Sequence, residues 1–204
     1  QNTSITATPT ANVSYEWLQN NLPIQNANQV NYAATTAGTY ALKVTNSTLN
    51  CVDTTNSIQI TVNALPVVSA GQNQSVCTGA SATLNGSGAS TYTWNNNVTN
   101  GVAFTPAATQ TYTVTGTDAN GCQNTAQVTV TVNTLPVVSA GQAQTLCAGT
   151  GVTLYGSGAS TYTWNNNVTN GVAFTPQATQ TYTVTGTDTN GCQNTAQVTV
   201  TVNA

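Results

Sequence analysis

Apolar and polar residues alternate with a period of two through most of the chain. In AQVTVTV, residues 126–132, Val128, Val130 and Val132 fall on one face, and Thr129 and Thr131 on the other. TYTVT at 111–115 sends Tyr112 and Val114 one way, and Thr111, Thr113 and Thr115 the other. TYTW at 91–94 pairs Tyr92 with Trp94, and SATLNG at 81–86 pairs Ala82 with Leu84. This is the period of half-buried strands. Gly- and Asn-rich clusters (GSGAS, NNNVTNG, DANGC) punctuate the runs. No stretch carries the helical period. Short strands with a turn about every ten residues predict an all-β fold, an antiparallel β-sandwich.

The pattern repeats with a period of 70. Trp94 and Trp164, Cys77 and Cys147, and Cys122 and Cys192 are each 70 apart, and residues 65–134 and 135–204 differ at only 11 of 70 positions. So long a period, with a full set of strands in each unit, predicts tandem domains rather than a solenoid. Residues 1–64 form a diverged third copy, in which SYEW (14–17) matches TYTW and SIQITVNALPVV (57–68) matches AQVTVTVNTLPVV (126–138). The alignment places the cysteine equivalent to Cys77 just before Gln1. Residues 1–64 are therefore expected to lack a first strand. Only two or three residues join successive strands at the junctions, with Pro66 or Pro136 among them. This predicts an extended, semi-rigid rod of roughly 100–120 Å.

Composition narrows the chemistry. Charged residues make up 2% of the chain, with one Lys and no Arg, His or Met, and the net charge is −3. An ordinary domain carries about 25%. Nothing attracts nucleic acid or an anionic membrane, and no run is long enough for a transmembrane helix. No signal-peptide pattern opens these residues. Catalysis lacks its parts: the last two repeats have no His or Lys and one carboxylate each, Asp118 and Asp188. A Ser or Thr nucleophile would have no base, so no enzyme and no cofactor are expected.

The string TDANGC, residues 117–122, returns as TDTNGC at 187–192. It faintly echoes a calcium loop, but one carboxylate is too few for a hard cation that takes six to eight oxygens. The simpler reading is a hairpin, in which Asn-Gly takes the φ > 0 positions and the Asp caps its own backbone. The five cysteines show no C-x-x-C, so structural disulfides in an oxidising compartment are expected rather than metal. Pairing Cys77 with Cys122, and Cys147 with Cys192, would give each module one bridge closing a loop of 45 residues. Pairing between modules would need distant ends to meet. Cys51 is the odd one, with its partner expected upstream of Gln1.

The buried-type Trp on a third strand, followed by AGTY (37–40) opening a later one, resembles the immunoglobulin-like fold. Tyr40, Tyr112 and Tyr182 take the place of its corner tyrosine, while Leu42, Val114 and Val184 stand where that family has a cysteine. The set LPVVSAGQ, YTW, TYTVTGTDANGC and VTVTVN resembles the immunoglobulin- or PKD-like repeats of large secreted surface proteins of Bacteroidota, including gliding-type adhesins of the type IX system. That resemblance implies the stalk of an adhesin or the body of a filament at the bacterial surface. It also implies O-glycosylation, for which Thr54 in DTT (53–55) is the candidate. Expected partners are neighbouring modules of the same longer chain, copies of itself packed laterally, and surface glycans. The alternative is a carbohydrate- or partner-binding array, with Tyr155, Phe104 and Phe174 as its exposed aromatics, or a spacer joined to a secreted enzyme.

Overall fold

The structure is a computed structural model and describes residues 3–203. Its contacts divide the chain into two compact units, Gln1–Leu65 and Pro66–Ala204. Among the described residues every element is a strand or a turn. The first unit contains β1 (Thr3–Thr6), β2 (Val13–Gln19), β3 (Leu22–Pro23), β4 (Asn31–Ala34), β5 (Gly38–Asn46), β6 (Val52–Thr54) and β7 (Ile58–Ile60). One sheet runs β3-β2-β5-β6, with β7 also on β5, and β1 pairs with β4 in a second sheet. Between the sheets lie Ile5, Trp17, Ala34, Tyr40, Leu42 and Ile60.

The second unit holds two modules of one design. The first has β8 (Gln74–Cys77), β9 (Ala82–Thr83), β10 (Thr91–Trp94), β11 (Ala103–Phe104), β12 (Gln110–Thr117) and β13 (Gln123–Asn133). The second repeats them as β14 (Gln144–Cys147), β15 (Val152–Thr153), β16 (Thr161–Trp164), β17 (Ala173–Phe174), β18 (Gln180–Thr187) and β19 (Gln193–Asn203). The larger sheet is ordered β10-β12-β13-β8, or β14-β19-β18-β16 in the second module, and the smaller sheet pairs β9 with β11, or β15 with β17. These are immunoglobulin-like sandwiches in tandem. The buried Trp of the third strand shares the core with a buried Tyr of the fifth, Tyr112 or Tyr182. The alternation determines what is buried. Tyr112 is 4% exposed and Val114, on the same face, 0%; Val128 and Val130 oppose them at 1% and 0%. Thr111 and Thr129 face outward and bond each other across the strands, Oγ1 to Oγ1 at 3.2 Å.

One pairing departs from an antiparallel design. β8 runs parallel to the far half of β13, with Gln74 opposite Val130 and Cys77 opposite Asn133. β14 does the same on β19, so that Cys147 lies opposite Asn203. The segment before β8 seals the core edge. Ala70 is buried beside Trp94, Tyr112 and Val114, and Val68 packs against that cluster. Among the described residues the first unit has no such segment, and a cavity of about 330 Å³ opens there between Ile5, Trp17, Tyr40, Leu42 and Ile58.

The same segment requires one glycine. Ser69 and Ser87 exchange backbone hydrogen bonds of 2.9 and 3.0 Å, which brings the chain hard against Gly88. Gly88 has φ +87°, and a Cβ there would sit 1.8 Å from the Val67 carbonyl oxygen. Gly88→Ala therefore meets both left-handed strain and a backbone clash. The expected loss is about 2–4 kcal/mol, read as a lower urea midpoint. An unchanged midpoint would show that the segment moves freely.

Candidate functional site

Two turns and two strand ends carry the chemistry. In the first turn, the Asp118 amide donates to the Cys122 carbonyl at 3.0 Å, and the Gly121 amide to the Asp118 carbonyl at 3.1 Å. Asp118 Oδ1 accepts the amides of Asn120 (2.8 Å) and Cys122 (2.9 Å). Gly121 has φ +79°, which glycine adopts freely. Asp188 repeats the arrangement, with Oδ1 accepting from Asn190 and Cys192, both at 2.8 Å. The carboxylate thus holds the turn that presents the cysteine, as the hairpin reading expected, but only the glycine of Asn-Gly takes a positive φ, and Asn120 and Asn190 do not. Asn46 makes a related turn before Cys51: its amide donates to the Cys51 carbonyl at 2.9 Å, but its Oδ1 accepts from Thr48 and Leu49 and leaves the Cys51 amide uncapped.

The expected cysteine pairing is overturned. Cys77 is bonded to Cys192, 115 residues away, with 5.6 Å between their Cα atoms. Cys51, Cys122 and Cys147 remain thiols. The physical reason is the parallel strand. Cys77 lies opposite Asn133, the last residue of β13, whereas Cys122 immediately precedes its first residue, Gln123. Eleven residues of strand separate the two ends. At about 3.3 Å per residue this is on the order of 33 Å, against the roughly 7 Å that a disulfide spans between Cα atoms. Cys147 and Cys192 lie at opposite ends of β19 in the same way. The strand end of one module instead meets the turn of the next. Two modules share a single disulfide, rather than having one each, and Cys192 is fully buried in it.

Asp188→Ala should expose what the turn contributes. It removes the acceptor of two amides, one of them that of the bonded Cys192, whereas Asp188→Asn keeps an oxygen in place. The alanine variant is expected to lose about 1–2 kcal/mol and the asparagine variant less. Equal losses in urea titrations of the two would mean that the charge, not the cap, matters.

The other predicted positions are scattered. Thr54 is exposed at the end of β6, its amide donating to Asp53 Oδ1 at 2.8 Å. Tyr155 is 64% exposed. Phe104 and Phe174 are not exposed aromatics: they are half-buried and pack edge-on against Tyr112 and Tyr182, with ring centroids 5.2 and 5.1 Å apart. This corrects the three-aromatic sugar platform, which is left with Tyr155 alone. Tyr40 completes a tyrosine corner by donating to the Thr36 carbonyl at 2.9 Å. Two further asparagines have a role in the core that no local pattern marks. Asn100 Oδ1 accepts from the Trp94 indole at 2.9 Å and from the Gly86 amide at 2.7 Å, and Asn170 does so for Trp164 and Gly156. Among the described residues no group of three His, Cys, Asp or Glu side chains converges, and no helix is long and apolar enough to cross a membrane.

No protein-family model and no curated protein matches the sequence. Solved structures with similarity to the chain include three N-terminal domains of the Highly Immunogenic Outer Capsid protein of bacteriophage RB49, at 16% identity and a TM-score of 0.39, covering 100% of this chain and 95% of that one. Another is the N-terminal eight Ig domains of Down Syndrome Cell Adhesion Molecule, at 17% identity and a TM-score of 0.34, covering 99% of this chain and 33% of that one. A third is the SGBP-B protein of the Bacteroides ovatus mixed-linkage glucan utilization locus in complex with a heptasaccharide. It is 20% identical with a TM-score of 0.26, covering 99% of this chain and 63% of that one.

Proposed function

We propose that the chain is a structural repeat segment of a long extracellular bacterial surface protein, serving as the stalk of an adhesin or the body of a filament. The disulfide between modules carries this reading. It ties the end of β8 to the turn before β19. Tension applied along the chain then passes from Cys77 directly to Cys192 and bypasses the residues between them. Such a bond serves a part that bears load, and it persists only in an oxidising compartment. The surface agrees with a long-lived extracellular role. It offers trypsin one site, Lys43, and oxidants no Met. The single ion pair among the described residues, Lys43 to Glu16 at 2.8 Å, is about 40% exposed on both sides and contributes little. Salt therefore has almost nothing to screen.

Near-zero charge favours self-association, and lateral packing of copies or a glycan coat at sites such as Thr54 would suit such a surface. Antibody against the chain should label intact source cells without permeabilisation; label that appears only after permeabilisation overturns the surface assignment. The binding alternative rests on exposed Tyr155. The chain is expected to bind nothing on a glycan array. Saturable binding lost in Tyr155→Ala would replace the stalk by a glycan-binding array.

A further inference from the structure

The bond between modules uses one half of each module's cysteine pair and leaves the other half over. Cys77 is a strand-end cysteine and Cys192 a turn cysteine. Cys147 is again a strand-end cysteine, and its backbone setting repeats that of Cys77. Cys77 lies opposite Asn133 and Cys147 opposite Asn203. The next amide donates back to that asparagine's carbonyl in both, Thr78 at 2.8 Å and Ala148 at 2.9 Å. The turn beyond closes on the cysteine carbonyl in both, from Ala80 at 2.9 Å and Thr150 at 3.1 Å. Cys147 is an exposed thiol. One copy of this strand end is therefore seen bonded, and its near-identical copy is free and accessible.

We propose that Cys147 is the receiving half of a second inter-module disulfide, taken up by the turn cysteine of a further immunoglobulin-like module of the same polypeptide. The partner is defined by its chemistry. It is a tight Asp-x-Asn-Gly-Cys turn whose Asp caps the amide of its own cysteine, as Asp188 does for Cys192. In the observed bond this turn brings Cys192 to the strand end of the preceding module. Bond formation joins the two sulfurs as both thiols lose their protons. The two electrons and two protons pass to a disulfide oxidant such as oxidised glutathione, which leaves as two thiols. The linkage is directional, from strand end to the turn of the following module, so each added module would extend one covalent line through the array. By the same rule Cys51, whose carbonyl accepts the Asn46 amide in the turn position, belongs to the strand end of a preceding module rather than to its own. The inference rests on the observed bond and not on the stalk reading, and it would hold for a binding array as well.

The test lengthens the chain. One further copy of residues 135–204 is fused after Ala204, with a Thr→Ser mass tag in its turn, and the protein is oxidised in glutathione buffer. Thiols are alkylated, and the protein is digested with chymotrypsin without reduction. Mass mapping is expected to find Cys147 joined to the tagged turn, with Cys77–Cys192 intact. Cys147→Ser should leave the tagged turn cysteine alkylated and Cys77–Cys192 unchanged. Cys147 found alkylated, joined to Cys192, or joined to Cys147 of a second chain overturns the proposal. The 204-residue chain gives an independent readout. After oxidation, alkylation should fall on Cys147 and spare Cys77 and Cys192. A Cys147–Cys192 bond there would remove the premise.

Discussion

Pulled from its two ends in a force spectrometer, the oxidised chain is expected to extend about 400 Å less than the reduced one. The bond closes 115 residues between Cys77 and Cys192, and an extended residue spans up to about 3.6 Å. Only the stretches up to Cys77 and beyond Cys192 carry load in the second unit while the bond holds. Cys77→Ser should give the reduced length under oxidising conditions. The alternative pairing leaves a different trace. Bonds inside each module would hide two loops of 45 residues, lost as two separate steps of about 160 Å each. A common extension with and without reductant would mean that no such bond forms. In equilibrium unfolding, the chain-entropy argument gives this long loop about 5 kcal/mol for the two modules unfolding together. The double variant lacking both sulfurs should lose up to that amount.

The contrast between those two traces shows where the sequence stopped being legible. The strands and the core were readable because alternation is a local signal. Tyr112 with Val114, and Val128 with Val130, fall on one face by spacing alone and are all buried. The turn role of Asp118 was readable because an Asp caps the amides that follow it and a Gly supplies the positive φ, both local signals. The cysteine pairing was not, because it depends on the register of a four-residue strand. QSVC at 74–77 alternates too briefly to say which strand it joins or in which direction. Its parallel pairing with the far half of β13 carries Cys77 the length of the module from Cys122. Treated as separate units, the repeats put the bonded ends far apart. They meet because β13 delivers the chain to the end at which the next module begins. The burial of Phe104 and Phe174 is illegible for a related reason: the two-residue strands that carry them are set by pairing with β9 and β15 rather than by any pattern of their own.

Replacing Asn100 and Asn170 with alanine is expected to cost each module about 2–4 kcal/mol, a large part of the roughly 5–15 kcal/mol that holds a domain together. Each side chain spends one oxygen on two donors, the indole N–H of a core Trp and the amide of Gly86 or Gly156. Trp94 and Trp164 are only 6% and 8% exposed, so water cannot easily replace the lost acceptor. An unsatisfied buried donor costs about 1–3 kcal/mol. In NNNVTNG these asparagines looked like turn residues chosen for their backbone. The first unit gave no warning, because Trp17 donates instead to the Gln29 backbone carbonyl at 2.9 Å. Two readings of Asn100 can be told apart. If it only shapes the turn, its cost is the same whatever stands at position 94. If it satisfies the indole, the cost shrinks once Trp94 is changed to Phe, which has no N–H to leave stranded. A double-mutant cycle over Asn100→Ala and Trp94→Phe, with the matching pair in the last module, measures that coupling. The expected coupling is about 1–2 kcal/mol. Additive losses would assign Asn100 to the turn and leave the tryptophan to be held by packing alone.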